Sequence, residues 1–184
     1  PLDAHTIILQ TGSVSFDAST LEIWGTMLNG GTLIMPESEI VTNEVQMREA
    51  IETHQVNTMW LTSMLFNQMI QTDRTMFDHL EYLLIGGEKL SERHVHMLKD
   101  RATSVKLING YGPTENTTFT TTYEIPEQFD SIPIGKPISN TQVYILNGEQ
   151  LCGIGVPGEL CITGDGLARG YLNQPELTAE KFIP

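Results

Sequence analysis

Asn109-Gly110-Tyr111-Gly112-Pro113-Thr114-Glu115 is the most informative segment of this sequence. A strand-like run, Val105-Lys106-Leu107-Ile108, precedes it, and a threonine-rich strand pattern, Thr117 to Tyr123, follows it. Two glycines and a proline at such a junction predict an irregular turn. That turn presents a ring, a hydroxyl and a carboxylate: Tyr111 to stack on a base, Thr114 near a phosphate, Glu115 for Mg²⁺. Turn chemistry with a solvated Glu115 explains most runs of this kind, so the neighbouring segments must carry the decision.

Outward from this stretch, residues 5–124 alternate short apolar strands with helical patterns, as parallel βαβ units do. Thr32 to Met35, Thr58 to Leu61, Tyr82 to Ile85 and Val105 to Ile108 read as strands. Helical spacing links Leu21, Trp24, Gly25 and Leu28, then Met47, Ala50, Ile51 and His54, then Leu61, Met64, Leu65 and Met69. Ser19 and Glu22 have capping-box spacing, Ser91 stands where a cap belongs, and Leu90 with Val95 can form a hydrophobic staple. Gly30 is placed to end the first helix. After Tyr123 come Pro126, Pro133 and Pro137, then alternating runs over Gln142–Leu146 and Glu159–Ile162. A last helix is expected over Pro175–Phe182, with proline at its first position. The expected fold class is α/β: a parallel sheet flanked by helices over residues 1–130, then a small antiparallel, barrel-like β portion over residues 131–184. Ligands of such sheets bind beyond the carboxyl ends of the strands, where Phe16-Asp17, Leu61, Gly86-Gly87 and Asn109-Gly110 all fall.

Composition narrows the function. The 184 residues are 40% hydrophobic and carry a net charge of −13 without a basic run. That balance speaks against nucleic acid or an anionic membrane as partner. No apolar run approaches the length of a membrane-spanning helix. Cys152 and Cys161 form no disulfide framework and suggest a reducing, cytoplasmic setting. Cys161 reads as a small core residue. His5, His54, His79, His94 and His96 are scattered without zinc-ligand spacing and read as structural or solvated.

Three segments in one order resemble the adenylate-forming enzymes, and more narrowly the amino-acid adenylation domains of nonribosomal peptide synthetases. Asn109 to Glu115 is similar to the family's Asn-x-Tyr-Gly-Pro-Thr-Glu motif. Ser15-Phe16-Asp17-Ala18-Ser19 resembles its Phe-Asp-x-Ser motif. Gly158-Glu159-Leu160-Cys161-Ile162, with Gly164, Gly166 and Ala168-Arg169-Gly170-Tyr171-Leu172, resembles its Gly-Glu-Leu motif. Leu84-Ile85-Gly86-Gly87-Glu88 and Pro133-Ile134-Gly135-Lys136-Pro137 agree as lesser matches. The resemblance covers essentially the whole chain. It implies a central part of the large N-terminal region of such an enzyme. Relative to the family, both ends are expected to be cuts. The glycine-rich phosphate loop would precede Pro1, and the ribose motif and the lid with its lysine would follow Pro184. Thr163-Gly164-Asp165 echoes the ribose motif but lies inside the Gly-Glu-Leu segment and is a false match.

The resemblance also implies roles. Asp17 would bind the α-ammonium of an amino acid, although an aspartate at a helix start has capping as its ordinary explanation. Ala18, Leu21, Trp60, Leu84, Gly86, Gly110, Thr118 and Phe119 would line the side-chain pocket, although Leu21 and Trp60 also fit core patterns. Beside Asp17 that set has no charge. A charged side chain would be buried there without a partner. Leu21, Trp60, Leu84 and Phe119 reduce the space, and Gly86 and Gly110 are expected to leave backbone room. The set resembles the valine type, with isoleucine, leucine and 2-aminobutyrate as open alternatives, since one methylene discriminates by only about 1–3 kcal/mol. Asn109, Tyr111, Gly86, Gly87 and Thr114 would hold the nucleotide. Glu115 would hold Mg²⁺, and Thr114 and Glu115 would act in catalysis. Arg169 is expected in a structural ion pair. The partners implied are ATP, an amino acid, the rest of the adenylation domain and a peptidyl carrier domain with phosphopantetheine, in antibiotic-type peptide synthesis. Two alternatives stay open: an acyl- or aryl-CoA ligase segment, and a non-catalytic specificity or binding subdomain.

Overall fold

In the computed structural model, which describes residues 2–101 and 104–183, seven strands form one sheet in the order β2-β1-β3-β4-β5-β6-β7. They are β1 (Ile7–Leu9), β2 (Thr32–Ile34), β3 (Thr58–Thr62), β4 (Tyr82–Gly86), β5 (Lys106–Tyr111), β6 (Thr121–Glu124) and β7 (Lys136–Pro137). β1 to β5 pair in parallel, and β6 and β7 join antiparallel. A second, three-stranded antiparallel sheet runs β10 (Glu159–Gly164), β8 (Thr141–Asn147), β9 (Gln150–Leu151). This is the expected α/β class with a small antiparallel portion. Pro1 and Pro184, where the cut ends were expected, lie outside the described residues.

Register separates the two faces of the main sheet. Met59, Leu61, Leu83, Ile85 and Leu107 point to one face and join the buried core. That face is covered by α3 (Glu44–His54), which follows the short α2 (Ser38–Thr42), and by α4 (Ser63–Thr72) and α5 (Glu92–Lys99), through Met47, Ile51, Phe66, Met69, Ile70, Val95 and Leu98. The alternate residues Trp60, Leu84 and Ile108 lie side by side on the opposite face, and beyond them Thr62, Gly86 and Gly110.

Several local expectations are corrected. β5 runs straight through Asn109, Gly110 and Tyr111, because Asn109 and Gly110 pair with both neighbouring strands; the irregular turn begins only at Gly112. Thr117 and Thr118 are not strand but left-handed, with φ of 50° and 66°. The first helix, α1 (Ala18–Thr20), widens into a π-helical turn over Leu21–Gly25. It buries Glu22 and Thr26 and leaves Trp24 and Leu28 exposed, so the apolar stripe does not face the core. The Ser19–Glu22 capping box does not form: Ser19 Oγ donates to the Phe16 carbonyl, and the Glu22 carboxylate bonds elsewhere. Met64 and His54 are exposed rather than inward. Ser91 stands at the start of α5, but its hydroxyl bonds His94 Nδ1, not a backbone N–H. Leu90 and Val95 are both buried, as a staple requires. The last helix, α6 (Pro175–Lys181), starts on its proline. No described helix is long and apolar enough to cross a membrane.

Candidate active site

Two adjoining clefts open at the carboxyl rim of the parallel strands, sharing Gly87, Gly110, Gly112 and Pro113. The first, about 590 Å³, gathers Asp17, Ala18, Trp60, Gly110, Thr118 and Phe119 of the expected pocket, with Gly87 and Thr114 beside them. Leu21, Leu84 and Gly86 are not part of its wall.

Asp17 stands at the start of α1, yet its side chain makes no capping bond. It reaches across the fold instead: Oδ2 accepts from Thr118 N at 2.9 Å, and Thr118 Oγ1 donates to the Asp17 carbonyl at 2.6 Å. The left-handed backbone at Thr117 and Thr118 turns that N–H toward Asp17. The cap explanation of Asp17 is therefore ruled out by geometry.

Gly110 and Gly86 differ from expectation. A Cβ on Gly110 would stand 2.3 Å from the Phe119 ring, and one on Gly86 would stand 2.1 Å from the Gly110 carbonyl and 2.9 Å from the Trp60 ring. The glycines do not leave empty room; their missing side chains admit the Trp60–Phe119 pair, packed edge-on at 5.2 Å between ring centres. That pair, 6% and 8% exposed, forms the apolar floor of the cleft.

The second cleft, about 450 Å³, brings together Gly87, Asn109 and Tyr111 with Ile132 and Ile134. Asn109 is buried at its mouth, and its side-chain N–H donates to the Pro133 carbonyl at 2.9 Å. Gly87 has φ of +83° and open space where a side chain would be, which leaves backbone accessible to a planar ring.

Glu115 faces a third cleft, formed with Glu159, Cys161, Leu167, Tyr171 and Lys181. Its carboxylate accepts a hydrogen bond from the Tyr171 hydroxyl, and its carbonyl accepts from Ala168 N at 2.7 Å. That bond holds the Glu115 carboxyl below the usual carboxylate range and pushes the Tyr171 hydroxyl up. Thr117 Oγ1 also donates to the Gly166 carbonyl, so the 164–171 segment docks on the 114–117 turn. Arg169 is exposed and pairs with no acidic group among the described residues, so the expected ion pair is not formed. Cys152 and Cys161 are free and half-buried. The described residues contain no group of three or more His, Cys, Asp or Glu suited to a metal.

Sequence reasoning missed the wall made by Thr11, Gly12 and Ser13. They follow the carboxyl end of β1 after Gln10, so strand-end position alone could have found them. It also missed the burial of Glu22, because capping spacing offered a local explanation.

Comparison with known proteins fits this arrangement. Residues 1–172 match the family of AMP-binding enzymes. This chain belongs to that family. Within it, the chain is 50% identical to tyrocidine synthase 3 of Brevibacillus parabrevis over 179 residues, which are 96% of this chain and 3% of that protein. It is 46% identical to surfactin synthase subunit 2 of Bacillus subtilis, over 100% of this chain and 5% of that protein. Among solved structures, holo-PA1221, a nonribosomal peptide synthetase protein containing adenylation and PCP domains, superposes with a TM-score of 0.91 at 36% identity, covering 100% of this chain and 32% of that one. The Klebsiella oxytoca NpsA N-terminal subdomain, in complex with 3-hydroxybenzoyl-AMSN, gives 0.87 at 29% identity, covering 98% and 45%. The chain is thus a segment of the AMP-binding enzyme family, of the nonribosomal synthetase adenylation type, spanning a small part of the curated relatives it matches.

Proposed function

We propose that this segment recognises a small branched aliphatic amino acid, valine first, for ATP-dependent aminoacyl-adenylate formation in nonribosomal peptide synthesis. The observation that carries the reading is Asp17. Its carboxylate leaves its own helix uncapped, is held by Thr118, and lines a cleft whose floor is Trp60 and Phe119. A carboxylate so placed suits an α-ammonium group, and a floor of two rings suits an uncharged side chain. A substrate without an amine would gain nothing from Asp17, which disfavours the acyl- or aryl-acid reading.

The adjoining cleft suits adenosine: Tyr111 for stacking, Gly87 for close backbone approach, and Asn109 for the exocyclic amine. The substrate carboxylate then attacks the α-phosphorus of ATP; an O–P bond forms, and the bond to the β-phosphate oxygen breaks as pyrophosphate leaves. Thr114 lines the first cleft next to the shared Pro113 and would contact the α-phosphate. Alignment and charge neutralisation carry most of this chemistry. Mg²⁺ is commonly held by one or two carboxylates plus substrate phosphates; Glu115, whose carboxylate faces the third cleft and accepts from Tyr171, would be its one protein ligand. When bound, the ion would neutralise phosphate charge. The product would pass to the phosphopantetheine of a carrier domain in the cytoplasm. Residues 1–184 contain no counterpart of the phosphate loop, ribose motif or lid lysine; alone they are expected to form no adenylate at a measurable rate.

The test is exchange of residues 1–184 for the matching segment of a complete adenylation domain, read by amino-acid-dependent pyrophosphate exchange over the proteinogenic amino acids. Valine should lead, with leakage to neighbouring aliphatics and rejection of charged substrates. An active graft that keeps its host's preference sinks the substrate assignment.

A further inference from the structure

We infer that Glu22 is a positioning residue of the amino-acid cleft, holding its Thr11–Gly12 wall against the Trp60 strand; this rests on the proposed reading of that cleft. Glu22 is 0% exposed, on the same helix as Asp17 and Ala18. A carboxylate withdrawn from water is costly unless its oxygens are well satisfied. Oε1 accepts from Thr11 N at 2.8 Å and Gly12 N at 3.1 Å, and Oε2 accepts from Gly12 N at 3.2 Å. The Thr11 hydroxyl lies 3.2 Å from Glu22 Oε1 and 2.6 Å from the Trp60 carbonyl. Its single proton favours the shorter contact, so Thr11 ties its own backbone to β3 beside the Trp60 ring. All described partners of the carboxylate thus belong to two consecutive residues, and both line the cleft.

Three further features agree. The π-helical turn over Leu21–Gly25 contains Glu22, and such turns are common at functional sites. The same helix exposes Trp24 at 58% and Leu28 at 78% while burying a charge, the reverse of what packing alone would choose. A Cβ on Gly12 would stand 2.9 Å from Glu22 Oε2, so the carboxylate approaches where only glycine leaves room.

The consequence is a wall whose position depends on one buried charge. Glu22→Gln keeps the shape but removes the charge and can turn N–H donors toward the N–H groups of Thr11 and Gly12. In the complete adenylation domain carrying residues 1–184, hydrogen exchange at Thr11 and Gly12 should accelerate about tenfold or more in this variant, while β3 to β5 stay protected. The KM for the activated amino acid should rise about tenfold, the loss expected for a charge-assisted hydrogen bond, with the KM for ATP unchanged within about twofold. Unchanged protection at Thr11 and Gly12, or equal losses for amino acid and ATP, overturns the inference. Should Glu22→Gln not fold, Glu22→Asp must show the same split in smaller measure, since it keeps the charge but withdraws it by one methylene. A wild-type graft that prefers another amino acid defeats the valine assignment alone; the split, read with that amino acid, still decides on Glu22. An inactive but folded wild-type graft counts against the reading of the cleft, and the exchange rates still decide whether Glu22 holds the wall.

Discussion

The two faces of the seven-stranded sheet are built from alternate residues of the same strands, and they are packed for different ends. On one, Met59, Leu61, Leu83, Ile85 and Leu107 meet three helices, and all five are wholly buried. On the other, Trp60 and Phe119 pack onto bare backbone at Gly86 and Gly110, under an open cleft edged by Asp17. The first face gains from every methylene it buries. The second gives up side-chain volume to fix two rings and a carboxylate, which is how a sheet can be stable and still leave a recognition surface.

The contrast is open to attack from both sides. Phe66→Ala strikes the covered face and should cost about 3–5 kcal/mol in urea unfolding; a loss under about 1 kcal/mol would mean that this face is not the stabilising one. Asp17→Ala strikes the open face. In the grafted domain it should lower kcat/KM for the amino acid about a hundredfold, with unfolding affected by only about 1 kcal/mol for the lost Thr118 bond. Unchanged amino-acid affinity would end the case for Asp17. Gly110→Ala pushes a methyl into the Phe119 ring and should destabilise by about 1–3 kcal/mol; a neutral result would show that the ring moves freely and is no fixed floor. Trp60→Ala should shift preference from valine toward leucine or phenylalanine by about tenfold, measured as a ratio of pyrophosphate-exchange rates. The smallest effect concerns pH. Burial raises the Glu22 carboxyl, so the folded state holds that proton more tightly than the unfolded one. Stability from this group is therefore full below the ordinary carboxylate range and declines as pH rises through the raised value. Glu22→Gln should flatten that decline in urea midpoints taken across pH.

The covered face was largely legible in the sequence. Met47 and Ile51 are related by helical spacing, and β4 and β5 carry alternating burial that local pattern can express; Leu61, grouped with the next helix by its spacing, lies instead in β3. The open face was legible only by resemblance. Nothing near Gly110 indicates that a ring nine residues later will lie on it, because that contact is set by the left-handed turn at Thr117 and Thr118. Leu21, Trp24 and Leu28 misled for a related reason: regular helical spacing assumes a regular turn, and the π-helical turn breaks the count at Glu22. The Tyr171 hydrogen bond to Glu115 was not foreseen because the two residues lie 56 positions apart.

The Asp17–Thr118 link joins residues 101 positions apart. For the exchange of specificity between synthetases, it defines an indivisible block. A crossover between Asp17 and Thr118 separates the carboxylate from the N–H that aims it, and one between Trp60 and Phe119 separates the two rings of the floor, even if each half keeps its local structure. Junctions placed outside this interval transfer the ammonium contact and the ring floor as one inherited unit. Recombinants cut inside it should fold their strands and helices and yet lose amino-acid selection first.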